Sequence, residues 1–381
     1  MFEIMETVPL LARVVMVLAC VVGLLNVLFY LFLVVASGRS KKHEKQPLGG
    51  DSIAVILRSG SCREGLEEDV ARFLTQDYGN YSVVVVDESG EADGTPMIDA
   101  LRRRYGNLHV TSTPSAAKFT SVEKLSLTVG IKSTEATWIV QADRHCPPRS
   151  SRWLSELSKN FCDGVSVVIA YTRVESGQGL VSHYAVARYR WHSFIRLAYA
   201  RSFGPYLGDG RNLAYRRELF LDVRGFAGYG YLQGGEGELI AQRLSEVGKV
   251  RVEVSGDSQT VGVVKGIWRD YFRRSTSEKQ AMSVLPRSVR VRVGRNAGLR
   301  VATWVVGGAL LPFGGWLAWS GVGLVGLRRL LFILCVICGI VRYKENWNVF
   351  WMWFYDLLAP FVWMAENRRY NSFKRQPQWR R

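Results

Sequence analysis

Residues 14–36 run without a single charged side chain, and that stretch limits what the rest of the chain can be. It is long enough to cross a hydrocarbon layer as one helix, where each backbone N–H and C=O must find its partner inside the segment. It is too long for the apolar core of a secretory signal, and no small-residue cleavage pattern follows it. It therefore reads as an uncleaved anchor. Arg39, Lys41, Lys42 and Lys45 follow it, whereas Glu3 and Glu6 precede it, with Arg13 at its edge. Positive charge is retained on the cytoplasmic side. That rule puts the N-terminus outside and the following domain in the cytoplasm, in a multi-pass protein of the cell membrane.

A second apolar block begins at Val301. Residues 301–327 have the length to cross once, Arg328 and Arg329 interrupt, and residues 330–341 are short for a span. Residues 348–365 are rich in Trp and Phe but contain Asp356 and Pro360, which suits an interfacial or re-entrant segment as well as a span. Two or three membrane elements are expected here.

The net charge of +17 is concentrated in residues 265–300 and 368–381, beside the apolar block. Such clusters meet anionic lipid headgroups. A nucleic-acid partner is not expected, because the charge follows the apolar boundary rather than a fold face. Cys20, Cys62, Cys146, Cys162, Cys335 and Cys338 show no zinc spacing, and no disulfide is expected.

The middle of the chain alternates. Apolar strand candidates lie at residues 52–57, 83–86, 138–141 and 165–170. Helical spacing marks residues 64–74, with Leu66, Val70, Phe73 and Leu74 on one face, and also residues 95–105 and 124–133. Strands alternating with helices predict an α/β domain with a mostly parallel sheet, and continuous Val and Ile runs predict strands covered on both faces. Two strands end in acids, at Asp87–Glu88 and at Asp143, the second before a turn closed by Pro147 and Pro148. An Asp at the carboxyl end of a parallel strand sits where open α/β sheets bind ligands, and one carboxylate there can hold a divalent cation against a diphosphate. A solvated strand end is the competing account of Asp143. Asp93 and Thr95 are explained by a turn and helix cap. If the strands ending at Asp87 and Asp143 are neighbours, both acids face one crevice.

Past Ala170 the pattern changes to an aromatic, basic stretch over residues 171–202. Gly208-Asp209-Gly210-Arg211-Asn212 follows, then Gly234-Gly235-Glu236-Gly237-Glu238 opening an amphipathic helix. Glycines beside carboxylates at a helix start permit close approach by a ligand. Acidic residues are also favoured there by the helix dipole alone, so both readings of Glu236 stand.

The order of these segments resembles the family 2 glycosyltransferases with a GT-A fold, in particular membrane-anchored bacterial members with one N-terminal anchor and C-terminal membrane segments. The resemblance rests on Thr75-Gln76-Asp77-Tyr78 before Val83-Val84-Val85-Val86-Asp87; Asp93-Gly94-Thr95; Leu127-Thr128-Val129-Gly130-Ile131-Lys132; Gln141-Ala142-Asp143 with Pro147; Gly210-Arg211-Asn212-Leu213-Ala214-Tyr215-Arg216; and Gly235-Glu236-Gly237-Glu238-Leu239. It implies transfer of a sugar from a nucleotide-sugar donor with inversion. Asp87 and Glu88 would contact the nucleoside, and Gln141 and Asp143 the donor. Asp143 matches the last position of the Asp-x-Asp motif that binds Mg or Mn. Glu236 matches the general base, with Glu238 beside it, and Asp209 and Asn212 lie on the acceptor side.

The departures are specific. Gln141 stands where the first Asp of Asp-x-Asp belongs, and Ser61-Cys62 where an Asn-Glu pair is usual. The base position holds Glu rather than Asp. The Gln-x-x-Arg-Trp signature of processive members is absent, and Trp268-Arg269-Asp270-Tyr271-Phe272-Arg273-Arg274-Ser275 occupies that region. Arg273 and Arg274 can meet a diphosphate or face lipid headgroups.

The expected organisation is an anchor at 1–37, a basic linker at 38–50 and a cytoplasmic GT-A-like catalytic domain at 51–285. A basic juxtamembrane segment follows at 286–300, then membrane or interfacial helices at 301–366 and a basic tail at 367–381. The expected activity is a membrane-bound, inverting, non-processive glycosyltransferase acting on a lipid-linked or glycan acceptor near the membrane, in contact with membrane lipids. The alternative is a catalytically inactive GT-A-like domain that binds a nucleotide or scaffolds a membrane complex.

Overall fold

The computed structural model describes residues 9–38, 50–60, 65–88, 96–113, 121–205 and 207–375. Ser61, Cys62, Asp93, Gly94 and Thr95 fall outside them. Helix α1 (Leu10–Gly38) is followed by β1 (Ile53–Arg58), α2 (Leu66–Leu74), β2 (Tyr81–Asp87), α3 (Pro96–Arg104), β3 (Leu108–Ser112), α4 (Val122–Lys132) and β4 (Trp138–Ala142). Next come α5 (Trp153–Ser158), β5 (Val165–Ala170), β6 (Thr172–Ser176), α6 (Leu180–Phe203), β7 (Asn212–Arg216) and α7 (Arg217–Asp222). The chain continues with α8 (Glu236–Val247), β8 (Lys249–Glu253), β9 (Thr260–Val264), α9 (Trp268–Ser283), α10 (Arg287–Leu310), α11 (Gly315–Tyr343) and α12 (Val349–Arg375). Two compact units result, one of residues 40–285 and one of residues 1–39 with 286–381.

The larger unit is built on a seven-stranded sheet of order β3-β2-β1-β4-β7-β5-β8. Strands β3, β2, β1 and β4 pair in parallel, β7 runs antiparallel between β4 and β5, and β5 pairs in parallel with β8. Strands β6 and β9 make a separate parallel pair. The continuous apolar runs of β1 and β5 are buried along nearly their whole length, as strands covered on both faces must be. Leu66, Val70, Phe73 and Leu74 of α2 all enter the core. Helix α4 lies close on the sheet because Gly130 has no side chain. A Cβ there would sit 2.7 Å from Val86 and 2.9 Å from Ile56.

The strands ending in Asp87 and Asp143 are not neighbours, because β1 lies between β2 and β4. The two acids still share the carboxyl edge, two strand spacings or about 10 Å apart. The aromatic, basic stretch after Ala170 becomes β6 and the long helix α6.

In the other unit, α1 and α11 are each long and apolar enough to cross a membrane. Arg328 and Arg329 do not interrupt. Helix α11 runs through them, since Arg328 is buried and forms a bidentate pair with Asp356 of α12 at 2.6 and 2.7 Å. The break falls earlier, at Leu311–Phe313 and the left-handed Gly314 and Gly315. The basic stretch at 286–300 is the first half of α10, and Pro360 lies within the continuous helix α12. Asn26 of α1 donates to Thr303 of α10 at 2.9 Å. Gly321 lets α11 approach α10 closely, since a Cβ there would lie 2.4 Å from the Gly307 carbonyl oxygen.

Candidate active site

Asp87 ends β2 buried, and its Oδ1 accepts a hydrogen bond from Ser59 Oγ at 3.2 Å. The Glu88 N–H donates to the same Ser59 oxygen at 3.1 Å. The Glu88 carboxylate lies 3.6 Å from Arg58 Nε and accepts from Ser126 of α4 at 3.0 Å. Three adjacent elements thus fix this acidic pair at one end of the edge.

Asp143 follows β4 in a tight turn. Its Oδ1 accepts from the His145 N–H at 3.0 Å and its carbonyl from the Cys146 N–H at 2.8 Å. Asp143 is half-buried. The Cys146 thiol beneath it is pushed up to about 12 by burial, with Arg211 and Arg274 opposing that shift and Asp143 and Asp209 adding to it. Cys146 therefore stays a thiol at neutral pH and is no nucleophile. The exposed Arg273 pairs with Asp270 at 3.5 Å on its own helix.

Gln141 has another task. Its buried Oε1 accepts from Tyr215 of β7 at 3.3 Å, and its Nε2 lies where a Cβ on Gly210 would come within 2.6 Å. The position without a carboxylate is a packing contact between the sheet and the loop of residues 208–210.

That loop meets the start of α8 backbone to backbone. A Cβ on Gly237 would lie 2.2 Å from Gly210 N, and one on Gly208 would lie 2.4 Å from Gly237 O. Glu236 and Glu238 are thereby held against the loop that rests on Gln141. Asp209 stiffens it from within. Its buried carboxylate accepts from Arg196 at 3.2 Å, from the Arg211 backbone N–H at 3.2 Å and Nε at 3.0 Å, and from the Tyr189 hydroxyl. Burial alone would raise its pKa, but Arg211 and Arg196 overcome that and hold it far below the usual carboxylate range. Asn212 is likewise buried and engaged. Its Oδ1 accepts from Trp153 Nε1 at 3.1 Å, and its Nδ2 donates to the carbonyls of Tyr171 at 3.1 Å and Ser258 at 2.9 Å. Both residues tie the loop to the fold, and neither carries an unengaged polar group toward an acceptor.

Lys124 is the residue that the sequence reading did not single out. It is 1 % exposed, donates to the carbonyls of Leu232 and Gly234 at 2.6 Å each, and lies 3.7 Å from Glu236 Oε1. Burial lowers its pKa, and Glu236, Glu123 and Glu238 partly restore it. It fixes the segment that leads into α8. Its signal was a lysine three residues before Leu127 and seven before Ile131, on the buried face of α4. Glu236 Oε1 is buried and accepts no hydrogen bond. Glu238 is half-buried, and its pKa is raised to about 7 by burial and then by Glu236.

Acids along the carboxyl edge of a mostly parallel sheet lie where open α/β sheets bind their ligands. The chain belongs to glycosyl transferase family 21, whose profile matches residues 15–375. It is a glycosyltransferase with a GT-A-like fold. The motif order had pointed to family 2; the family that matches is 21. Among solved structures it is similar to the mannosyltransferase PcManGT from Pyrobaculum calidifontis, determined with GDP-Man and Mn2+. The TM-score is 0.58 at 17% identity, over 89% of this chain and 100% of that one, a likeness of fold alone. S. aureus TarS residues 1–349 (TM-score 0.41, 14% identity, 77% and 89% covered) is a weaker likeness. Glucosyl-3-phosphoglycerate synthase from Mycobacterium tuberculosis with UDP (0.36, 16%, 68% and 85%) is weaker still, and neither adds to the assignment. A search of the curated proteins finds no match.

Proposed function

We propose that this glycosyltransferase moves a sugar from a nucleoside-diphosphate donor to a membrane-proximal acceptor, with inversion and one transfer per encounter. The observation that supports this reading is the close packing of the loop of residues 208–210 against both the Glu236–Glu238 helix start and Gln141, which lies two residues before Asp143. Asp87 and Glu88 receive the nucleoside at one end of the edge. Glu236, whose buried Oε1 lacks a hydrogen-bond donor, takes the proton of the acceptor hydroxyl. Lys124 holds the approach to that helix and keeps a positive charge beside Glu236. Arg274, like Arg273 on α9, is a candidate partner for the diphosphate.

A divalent cation is tested by the donor set present. Among the described residues no group of three His, Cys, Asp or Glu is arranged to hold a metal. Asp143 offers one carboxylate, with Oδ1 already accepting from His145. A cation of the Mg or Mn type is commonly held by one or two carboxylates together with substrate phosphates and waters. The residues therefore fit a cation that arrives with the donor, held by Asp143. Bound there, it would neutralise charge developing on the leaving diphosphate.

The membrane part of the reading is supported by the two apolar helices α1 and α11 and by the basic residues that flank the apolar segments. The positive-inside rule places the sheet domain on the cytoplasmic face, beside an acceptor that is lipid-linked or a glycan at the bilayer.

Calorimetry on the detergent-purified chain tests the proposal, using a panel of nucleotide sugars with and without Mn2+ and Asp143→Ala as the control. Metal-dependent binding of one donor class that disappears in the variant is expected. Unchanged metal-dependent binding in Asp143→Ala would sink the assignment of that residue, and no binding by a folded sample would sink the donor site.

A further inference from the structure

The terminal helices bury more positive charge than their own acids neutralise. Arg300 of α10 and Arg328 and Arg329 of α11 converge on one carboxylate, Asp356 of α12. Asp356 is fully buried, Arg328 is 2 % exposed and Arg300 is 5 % exposed. Both Asp356 oxygens are taken by the Arg328 fork at 2.6 and 2.7 Å. Arg329 keeps a contact at 3.5 Å, donates to the Trp353 carbonyl at 3.3 Å, and lies over the rings of Trp304 and Trp353.

Arg300 is ion-paired with Asp356 but is the least completely hydrogen-bonded of the three. Its Nε lies 3.1 Å from Asp356 Oδ1 without hydrogen-bond geometry, and its buried Nη2 has no partner. The Tyr355 ring lies 5.2 Å from its guanidinium carbon. Three guanidiniums face this one carboxylate, two of them buried (Arg300 and Arg328) and Arg329 partly exposed.

We propose that the Arg300–Arg328–Arg329 cluster is a binding site for one anionic phosphate group, held by the unused N–H groups of Arg300. The guanidinium fork suits a phosphate better than a halide, since its planar donors match two oxygens at once. The surroundings indicate what else such a ligand carries. Val301, Trp304, Val305, Phe350 and Trp353, on the helices that hold the cluster, are exposed apolar side chains. A phosphate borne on a hydrocarbon tail would satisfy both features, and a free phosphate would satisfy only the first. A charged group in an apolar helical unit is a site by default only when its partner is named, and here the named partner is one anion short.

The test uses the full chain in an uncharged maltoside detergent, titrated with short-chain phosphatidylglycerol and followed by calorimetry and thermal unfolding. Short-chain phosphatidylcholine is the zwitterionic control and inorganic phosphate the competitor. Phosphatidylglycerol is expected to bind and to raise the unfolding temperature. Arg300→Gln should weaken that binding roughly tenfold or more, as loss of a charged hydrogen bond does. Arg290→Gln, an exposed change of equal charge on α10, should leave it nearly unchanged. Without lipid, Arg300→Gln should unfold no earlier than the parent, because Arg328 and Arg329 remain on Asp356. Competition by inorganic phosphate at similar concentration would assign the site to a soluble phosphate, and its failure to compete would assign the site to a lipid. Equal phosphatidylglycerol binding by Arg300→Gln and the parent would overturn the proposal. So would early unfolding of Arg300→Gln without lipid, which would make Arg300 a plain counter-ion of Asp356.

Discussion

Gly237→Ala is the perturbation that most directly tests how the candidate site is assembled. A Cβ at this position would lie 2.2 Å from Gly210 N, 2.5 Å from its Cα and 2.9 Å from the Asp209 carbonyl carbon. All three neighbours are main-chain atoms, so no rotamer change relieves the contact. Ordinary contact begins at 3.4 Å, and 3.4 minus 2.2 requires the helix start and the loop to part by about 1.2 Å. Overpacking of this kind costs about 1–3 kcal/mol of stability. The functional cost should be larger in kind, because Glu236 and Glu238 ride on the part that must move. A 1 Å misplacement of reacting groups costs on the order of 100-fold in rate, equivalent to about 2.7 kcal/mol of barrier. The assay is single-turnover transfer, or donor hydrolysis, at saturating donor, with thermal unfolding on the same samples. Gly79→Ala is the control, since a Cβ there meets nothing within 4 Å. The expected result is a large loss of kcat with donor affinity at Asp143 retained. A Gly237→Ala enzyme that keeps kcat within about threefold of the parent would refute the claim that this contact positions the carboxylates.

Two further outcomes follow from the carboxylates. Glu238 has a pKa raised from 4.5 to about 7, so its contribution to stability is full below pH 4.5 and is lost as the pH rises through about 7. Glu238→Gln should therefore raise the unfolding temperature relative to the parent at about pH 8 and give no advantage near pH 4.5. If Glu236 is the base, the acid limb of the pH–rate profile survives Glu238→Gln, and its disappearance would transfer the role to Glu238. Asp209→Asn breaks a buried carboxylate held by Arg196 and Arg211, and should cost about 3–5 kcal/mol in denaturant unfolding. A stability change below about 1 kcal/mol would mean that the pair is screened as surface pairs are.

Much of the fold was legible because its signals are local. The Val and Ile runs of β1, β2 and β5 have the length and composition of doubly covered strands, and the periodicity of α2 and α4 follows from which face meets the sheet. Asp87 and Asp143 were legible as acids at strand ends for the same reason. Strands β3, β6, β7, β8 and β9 were not. They are five residues each, and the alternation of Leu108-His109-Val110-Thr111 and the apolar run Leu213-Ala214-Tyr215 are too brief to separate strand from loop. They are strands because their neighbours supply hydrogen-bond partners. The antiparallel β7 could not be read locally, since strand direction is a property of the pairing.

The sequence by itself determined the division into apolar ends and an α/β middle, the parallel half of the sheet and the helix start bearing Glu236 and Glu238. These follow from hydropathy, periodicity and composition within short windows. Only the tertiary structure decided which residues serve the site and which serve the frame. Gln141, Asp209 and Asn212 are engaged by Tyr215, by Arg196 and Arg211, and by Trp153, partners far from them in the chain or reached only by folding of the loop. Lys124 reaches Glu236 from more than a hundred positions away, and Arg328 meets Asp356 across two helices. A side chain's charge is written in the sequence, but what neutralises it is set by desolvation and by neighbours that exist only once the chain has packed.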